Sequence, residues 1–342
     1  MKASIISNSD VLDEGFVPDT LLFRDAQTKE LASCLPSPGR LKPQDCLCYG
    51  SPGTGKTSLV RYVLSEASNY AMTRTFYINC WERKTLNAVL DELAMQAGLV
   101  VPELGSSQKT DRLRHKLGDR PFVIALDEVD KLEPKELNDI LYILKDLGAG
   151  LICVSNSRRF LICLDPRVAS RIRFSEIRFQ NYTDEEIIAI LRNRIDYYSA
   201  LNPQCCKPKV LTRIAELSKG DARVAIQTLG KAAEIAESVG RDHIEESDLL
   251  DSFADVRQLK QKYQLEALSL HHKTIIKLLQ THREISSSQF YGLYMRKVRR
   301  KGIRAKSARS FNNYLKDLLD LKLMECDRAN VRGNVRVFKL AD

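Results

Sequence analysis

The chain has 342 residues, of which 44% are hydrophobic and 28% are charged, a composition typical of a globular protein with two or three domains. No apolar run is long enough to cross a membrane, and the acidic N-terminal stretch lacks the pattern of a signal peptide, so we expect an intracellular protein. Nine cysteines occur without C-x-x-C pairs, which favours reduced thiols over disulfides or zinc sites.

The positive charge is concentrated near the C-terminus. Residues 256–342 carry 20 Lys and Arg against 7 Asp and Glu, a net charge of +13, whereas residues 1–255 carry 33 against 37, a net charge of −4. A strongly basic segment indicates an anionic partner, and nucleic acid is the first candidate.

The first elements in chain order end in a glycine-rich loop. Residues 1–15 show little periodicity and are predicted to be a loose arm, followed by a short loop and a helix that ends near Leu35. An apolar run at 46–49 predicts a strand, and a helical pattern begins at Ser58.

Between that strand and that helix, residues 50–57 read Gly-Ser-Pro-Gly-Thr-Gly-Lys-Thr, which fits the phosphate-binding P-loop pattern. The glycines allow backbone N–H groups to face phosphate oxygens, Lys56 can reach the β- and γ-phosphates, and Thr57 can ligate Mg²⁺. The residues expected to contact the nucleotide are Gly53, Thr54, Gly55, Lys56, Thr57 and Ser58.

A buried strand after the loop ends in two acids. Residues 74–80 predict a second strand, 85–99 a helix, and 102–118 a loop with a further helix, before the apolar strand 121–128. At the carboxyl end of that strand, Asp127 can hold the Mg²⁺ shell, and Glu128 can orient and deprotonate the attacking water.

Two more strands complete the alternation. Residues 138–147 predict a helix, 150–156 a buried strand and 175–179 a fifth strand, so that strands and helices alternate as in a parallel sheet covered on both faces. Asn156 can hydrogen-bond the γ-phosphate or the water beside it; the alternative is that it caps the next turn.

An all-helical segment follows to about residue 250. It opens with a capping box formed by Thr183 and Glu186, and its helices are predicted at 210–218 and 221–239. Arg223 lies in the first turn of the last of these helices.

The basic end predicts three helices and a hairpin. Helices at 271–282 and 288–300 are followed by a third from Ser307, and strands at 323–326 and 335–340 flank a turn. This pattern is typical of a winged helix. The aromatic residues of the second helix have helical spacing and are predicted to be core rather than a base-stacking platform.

The third of these helices is the candidate for reading DNA. Its predicted buried face consists of Ala308, Phe311, Leu315, Leu318 and Leu319. Arg309 and Asn313 on the opposite face suit base edges, and Lys316 suits phosphate. Arg328, Arg332 and Arg336 lie on or beside the hairpin, where minor-groove or phosphate contacts are expected. The alternative is that these charges form a solvated face.

Taken together, five motifs resemble those of the AAA+ ATPases in order and spacing. They are residues 49–57, Leu126-Asp-Glu-Val-Asp130, Ser155-Asn156, Pro166-Arg-Val-Ala-Ser-Arg171 and Gly220-Asp-Ala-Arg223. With Phe16-Val-Pro18 and Arg24, the chain resembles the archaeal replication initiators related to the eukaryotic origin recognition complex and Cdc-six proteins. The resemblance implies an α/β P-loop AAA+ parallel sheet at 1–180, a helical lid at 181–255, and a winged-helix domain at 256–342.

The resemblance also implies roles for single residues. Asn156 would be the first sensor of the γ-phosphate, Arg223 the second sensor, and Val17 and Pro18 would contact the nucleotide. Arg171 would be an arginine finger for the nucleotide of a neighbouring subunit, with Arg167 as the alternative; a surface arginine that pairs with Glu176 is the structural alternative. Residues 82–118 occupy the place of a helical insertion that touches DNA in this family, although their charge is balanced.

The predicted function is an ATP-dependent DNA replication initiator that binds double-stranded origin DNA, hydrolyses ATP slowly and uses the nucleotide as a switch. The expected cofactors are ATP or ADP and Mg²⁺, and the expected partners are origin DNA, other copies or paralogues, and a replicative helicase. We expect a cytoplasmic, nucleoid-associated location. The alternatives are a transcription or partition regulator with the same fold, and a branch-migration-type DNA motor.

Overall fold

The computed structural model describes residues 4–13, 15–36, 42–70, 73–100, 104–118, 120–253, 255–256, 268–320, 323–328 and 336–340. The chain divides into two compact units, residues 1–256 and 257–342. In the described part of the chain, no helix combines the length and apolar character needed to span a bilayer.

The first unit is built on a five-stranded parallel sheet in the order β2-β3-β4-β1-β5. Its strands are β1 (Cys46–Gly50), β2 (Arg74–Asn79), β3 (Phe122–Asp127), β4 (Gly150–Ser155) and β5 (Ser175–Phe179). Every residue of β3 and β4 is buried, as expected for strands covered on both faces. The predicted parallel sheet is confirmed, and the carboxyl ends of its strands lie along one edge.

Helices cover both faces of this sheet. They are α1 (Asp25–Cys34), α2 (Lys56–Tyr70), α3 (Leu86–Gln96), α4 (Ser106–Leu117), α5 (Pro134–Asp146) and the short α6 (Pro166–Ala169). One apolar core packs α3, α4 and α5 on the sheet, and a second packs α1 and α2 on its other face. Helix α5 begins four residues before the predicted start at Asn138, because Pro134 occupies its first turn, where a missing N–H costs nothing.

The helices that follow β5 form a separate apolar core together with the N-terminal residues. They are α7 (Asp184–Asp196), α8 (Pro208–Ser218) and α9 (Ala222–Ser238), and residues 246–253 are also helical. The predicted capping box is present: Glu186 N–H donates to Thr183 Oγ1 at 3.2 Å, and Thr183 N–H donates to Glu186 Oε2 at 3.0 Å.

The prediction of a loose N-terminal arm was wrong. Ile5 is 1% exposed and Val11 2% exposed, because both pack into the α7–α9 core. Glu237 in α9 accepts the backbone N–H groups of Ile5 and Ile6 at 2.7 and 2.9 Å, and Arg194 donates to the carbonyl of Val11 at 2.7 Å. These partners are about 180 to 230 residues away in sequence, so local periodicity does not reveal them.

In its described residues, 268–320, 323–328 and 336–340, the second unit contains three helices and a three-stranded antiparallel sheet. The helices are α10 (Leu270–His282), α11 (Ser287–Arg300) and α12 (Ala308–Asp320), and the strands are β6 (Glu284–Ser286), β7 (Met324–Arg328) and β8 (Arg336–Leu340) in the order β6-β8-β7. Strand β6, only three residues long, was not predicted.

The core of this unit agrees with most of the predicted inward positions. Phe290 and Tyr294 are fully buried, which confirms that the aromatic residues of α11 are core. Phe311, Leu315 and Leu318 form the buried face of α12. The placement of Ala308 on that face was wrong, since it is exposed in the first turn of the helix, before the helix reaches the core.

Candidate nucleotide site and basic surface

The loop between β1 and α2 has the geometry of a phosphate cradle. Gly53 and Gly55 have φ values of +72° and +86°, which L side chains rarely adopt, and Thr54, 0% exposed, donates its hydroxyl to the Ser51 carbonyl at 2.8 Å. Helix α2 begins at Lys56, so Thr57 and the half-buried Ser58 lie in its first turn. A helix N-terminus with free N–H groups attracts phosphate.

Lys56 lies in this cradle, and its ammonium group donates hydrogen bonds to uncharged oxygens. Its Nζ donates to the carbonyls of Gly50 and Ser51, each at 2.8 Å, and to Asn156 Oδ1 at 3.3 Å. Burial lowers the pKa of Lys56 to about 8, partly offset by Asp127 and Asp130, and the charge of Arg223 lowers it further. Among the described residues no carboxylate lies at hydrogen-bond distance from Lys56 Nζ, so this buried ammonium is suited to receiving phosphate.

Asp127 at the end of β3 lies against Thr57. The Thr57 hydroxyl donates to Asp127 Oδ2 at 2.7 Å, and the Glu128 N–H donates to Asp127 Oδ1 at 2.8 Å. The Thr57 hydroxyl in the first turn of α2 and the Asp127 carboxylate beside it are hard oxygen donors of the kind that Mg²⁺ prefers. The pair therefore fits a magnesium ion that keeps most of its water shell.

Glu128 follows in the left-handed conformation, with φ +57° and ψ +40°. This conformation is uncommon for a residue with a side chain, and such strain is concentrated at functional sites. Burial, followed by the neighbouring charge of Asp127, raises the pKa of Glu128 above its ordinary value, and Lys131 partly offsets this. A carboxylate with a raised pKa is a stronger base, as proton abstraction from water requires.

Asn156 directly follows β4, which pairs with β1 so that Ser155 lies opposite Tyr49. Besides its contact with Lys56, Asn156 donates its backbone N–H to Asp130 Oδ1 at 3.3 Å, and Ser155 donates its hydroxyl to the same oxygen at 3.2 Å. The structure therefore brings Lys56, Thr57, Asp127, Glu128 and Asn156 together at one edge of the sheet.

The N-terminus of α9 reaches the same loop. Asp221 caps α9 by accepting the Val224 N–H at 3.1 Å, and the Ala222 N–H donates to the Gly53 carbonyl at 3.0 Å. Arg223, in the next position, is close enough for its charge to lower the pKa of both Lys56 and Glu128. The α9 end is thus physically joined to the phosphate loop.

Arg24 joins the loop to the connection between the sheet and α7. It is 4% exposed, its Nε donates to the Thr54 carbonyl at 3.0 Å, and its Nη2 donates to the Gln180 carbonyl at 2.9 Å. The guanidinium also lies 3.7 Å from the centroid of the Tyr182 ring. In the sequence Arg24 is recognisable only as a family marker, and its contacts with the loop were not predicted.

Val17 and Pro18 are half-buried and lie in a segment whose Phe16 contacts Arg194 of α7 and Tyr198, which follows α7. Phe16 packs edge-on against Tyr198 with ring centroids 5.1 Å apart, and the Tyr198 hydroxyl accepts the Asp19 N–H at 2.9 Å. The segment from Phe16 to Arg24 therefore runs from the helical core to the phosphate loop.

Comparisons with known proteins agree with this site. A model of the AAA domain matches residues 42–159, and a model of the Cdc6 AAA+ ATPase-type lid domain matches residues 188–253. ORC1-type DNA replication protein 9 of Halobacterium salinarum is 32% identical over 333 residues, which cover 94% of this chain and 91% of the relative.

The chain belongs to the ORC1-type DNA replication protein family. ORC1-type DNA replication protein 2 of Archaeoglobus fulgidus is 30% identical over 336 residues, covering 94% of this chain and 86% of that protein. The structure of the Aeropyrum pernix ORC1 protein in complex with DNA has a TM-score of 0.80 and 28% identity, covering 100% of this chain and 95% of that chain. The resemblance inferred from the motifs is confirmed, and this ORC1-type protein is an AAA+ ATPase.

Arg171 of this ORC1-type protein lies at the opposite end of the sheet from the phosphate loop. It follows α6 and precedes β5, its guanidinium stacks 4.4 Å from the centroid of the Tyr142 ring, and it lies 3.9 Å from Asp146. The predicted alternative pairing with Glu176 was wrong, because Arg158 takes that carboxylate at 2.7 Å. A five-residue strand spans about 17 Å, so Arg171 does not reach the nucleotide site of its own chain. Arg167 is exposed in α6.

The second unit of the ORC1-type protein presents the three residues of α12 that are predicted to contact DNA. Arg309, Asn313 and Lys316 are all exposed, on the side of the helix opposite its buried residues. Arg336 is exposed at the start of β8, and its backbone N–H donates to Ser287 Oγ at 3.3 Å. Arg332 lies outside the described residues, as does the side chain of Arg328.

Two further residues of the site were not assigned from the sequence. Asp130 holds the Ser155–Asn156 turn, and Tyr77 in β2 donates its hydroxyl to Asp127 Oδ2 at 2.7 Å. Burial, with the adjacent Asp127 charge, raises the pKa of Tyr77 well above its ordinary value, so the phenol stays a donor at neutral pH. Strand alternation was the signal that could have identified Tyr77. It places Tyr77 on the same face of β2 as Asn79, and Asn79 pairs with Asp127.

Proposed function

We propose that this ORC1-type protein is an ATP-controlled replication initiator that binds double-stranded origin DNA through its C-terminal unit. The observation that carries the proposal is that a phosphate loop with its candidate metal ligands and candidate base occurs in one chain with a separate unit of net charge +13. The A. pernix ORC1 relative, with a TM-score of 0.80, was solved in complex with DNA, which supports a DNA partner here.

The roles at the nucleotide site follow from their placement. Lys56 and the loop amides hold the β- and γ-phosphates, while Thr57 and Asp127 would hold the metal shell. Magnesium, when bound, neutralises phosphate charge. Glu128 accepts the proton of the attacking water, and Asn156, fixed by Asp130, orients the γ-phosphate or that water.

The nucleotide acts as a switch because α9 touches the loop. The Gly53 carbonyl accepts the Ala222 N–H, and Arg223 lies one residue farther along α9. A change in the phosphates therefore alters contacts that fix the start of this helix. Hydrolysis is slow, since its role is to reset the state rather than to drive movement.

Full hydrolysis requires a second copy or a paralogue. Arg171 lies at the far end of the sheet, so it serves as the arginine finger of a neighbouring molecule rather than of its own chain. A cleft of about 1040 Å³ opens beside Gly50, Ser51 and Asn156, and gives such a residue a route to the γ-phosphate.

The C-terminal unit is a winged helix that covers residues 256–342 and follows, in sequence, an ATPase base at 1–180 and a lid at 181–255. Arg309 and Asn313 of α12 read base edges in the major groove, and Lys316 contacts phosphate. The three arginines Arg328, Arg332 and Arg336 contact the backbone or the minor groove from the hairpin.

Genome-wide mapping of bound DNA tests this proposal against the alternative of a transcription regulator. The initiator predicts a few strong sites that coincide with the points where replication forks begin, located independently by marker frequency. Sites confined to promoters, with none at fork starts, would contradict it. A protein without affinity for duplex DNA, or with an affinity that does not fall steeply as salt rises, would contradict it as well.

A further inference from the structure

Three donors hold the carboxylate of Asp127, and one of them belongs to none of the AAA+ motifs of this chain. Oδ1 accepts the Glu128 N–H at 2.8 Å, whereas Oδ2 accepts two hydroxyls, those of Thr57 and Tyr77, each at 2.7 Å. Thr57 would itself ligate the metal through its oxygen while its hydroxyl hydrogen still donates to Asp127 Oδ2. Tyr77 is thus the donor to Oδ2 that takes no part in the metal shell.

Two neighbouring side chains, those of Gln96 and Arg61, hold Tyr77 in place. It lies in the edge strand β2, where its backbone would otherwise lack a partner on one side, and the Gln96 side chain of α3 fills that gap. Gln96 Oε1 accepts the Tyr77 N–H at 3.2 Å, and Gln96 Nε2 donates to the Tyr77 carbonyl at 2.8 Å. The guanidinium of Arg61 covers the ring at 4.4 Å from its centroid. Such a residue loses little freedom when it donates to a carboxylate.

We infer that Tyr77 is a positioning residue for the magnesium site: it sets the rotation of the Asp127 carboxylate before the metal and nucleotide arrive. This inference rests on the metal role assigned to Asp127 in the proposed function. A carboxylate whose orientation is fixed in advance binds metal more tightly than one that must be ordered on binding, and loss of such an outer partner typically weakens metal affinity about 10- to 100-fold.

The test is Tyr77→Phe, which removes one oxygen and keeps the ring between Arg61 and the sheet. The matched control is Tyr62→Phe, which makes the same change at a half-buried tyrosine of α2. Mn²⁺, a spin-active ion with a similar preference for oxygen ligands, is titrated into each protein with bound ADP and followed by electron paramagnetic resonance. Affinity for a fluorescent ADP is measured separately in EDTA and in Mg²⁺.

For Tyr77→Phe we expect the Mn²⁺ dissociation constant to rise by about 10-fold or more. Its ADP affinity in EDTA should stay within about twofold of wild type, since the lost hydroxyl donates to Asp127 and not to the phosphate loop itself. Tyr62→Phe should match wild type in both measurements. A purely structural role would lower the thermal midpoint and the EDTA affinity together, without a selective metal effect.

Two results overturn the inference in distinguishable ways. If wild type binds Mn²⁺ well and Tyr77→Phe binds it equally well, or if Tyr77→Phe loses ADP affinity equally in EDTA and in Mg²⁺, Tyr77 does not position the metal ligand while the proposed function stands. If wild type itself neither binds Mn²⁺ with ADP nor gains ADP affinity from Mg²⁺, the metal role of Asp127 fails and the inference fails with it.

Discussion

The side chain of Asp221 lies where a Cβ atom on Gly53 would stand. Gly53 is in the phosphate loop and Asp221 caps α9, and the Ala222 N–H bonds the Gly53 carbonyl at 3.0 Å beside them. The position therefore requires glycine twice, for its φ of +72° and for the approach of the carboxylate. Through this contact the phosphate loop and the helix that carries Arg223 are directly joined.

Gly53→Ala should weaken nucleotide binding by about 10-fold or more, because the new methyl group forces the loop and α9 apart in addition to straining the backbone. Fluorescent ADP titration gives the dissociation constant. Gly148→Ala is the matched control, since Gly148 has a φ of +85° and nothing within 4 Å of the added carbon. Equal nucleotide affinities in the two variants would show that the contact with Asp221 does not matter.

The affinity for nucleotide should fall as the pH rises above about 8, where Lys56 loses its proton in the free protein. Bound phosphate favours the ammonium form, so the pKa rises on binding, protons are taken up, and the affinity falls by up to about tenfold per pH unit until the bound pKa is reached. Calorimetry in two buffers of different ionisation enthalpy measures the uptake directly.

Lys56→Arg is the control for this pH dependence, because its guanidinium stays charged over the whole range. Its binding should be weaker but flat with pH. A wild-type affinity that does not change between about pH 7 and about pH 9.5 would contradict the assignment of a titrating Lys56 to the phosphates.

How far the sequence predicts this site depends on whether the signal is local. The P-loop and the Asp127-Glu128 pair were predicted because a strand, a turn and a helix in succession fix their geometry. Tyr77 in the same site was missed, since its sequence context shows only a β-forming residue. Its hydroxyl meets Asp127 50 residues away, which only the strand register reveals.

In the fold, too, the features with a local sequence signal were predicted and those that depend on distant residues were not. The five strands and the helices of the sheet unit follow from periodicity, whereas the docking of Ile5 depends on Glu237 at the other end of the unit. Strand β6, three residues long, is too short for an alternation pattern, and its place is set by pairing with β8. Ala308 has the right spacing for the core, but the helix has not yet reached the core at its first residue.

Arg171→Ala should retain nucleotide affinity and lose assembly-dependent hydrolysis by at least about 10-fold, because its guanidinium acts on a neighbour's nucleotide. Mixing Arg171→Ala with Glu128→Gln should recover part of the activity, since one of the mixed sites has both an intact Glu128 and an intact Arg171. Arg167→Ala, four residues earlier and within α6, should resemble wild type. A mixture no more active than its better component would exclude action between chains.

The variants of α12 should separate base reading from phosphate binding. Arg309→Ala or Asn313→Ala should relax preference at one base pair, at a cost of about 1–3 kcal/mol on the preferred site. Lys316→Ala should weaken all sequences alike and reduce the slope of log affinity against log salt by about 1. Fluorescence anisotropy on a panel of single-base variants distinguishes the two patterns, and identical behaviour of all three substitutions would refute the assignment.

The most direct test of a nucleotide switch with its output on DNA is the affinity for a mapped duplex site, measured with ATP, with ADP and without nucleotide, for wild type and Lys56→Ala. Lys29→Ala, at an exposed position of α1, is the charge-matched control. We predict that the wild-type and Lys29→Ala affinities differ between ATP and ADP, while Lys56→Ala binds no nucleotide, keeps much of its DNA affinity and gives one value in all conditions. A folded Lys56→Ala protein without DNA affinity, or a wild type that binds DNA equally in all three conditions, would contradict the separation of switch and reader.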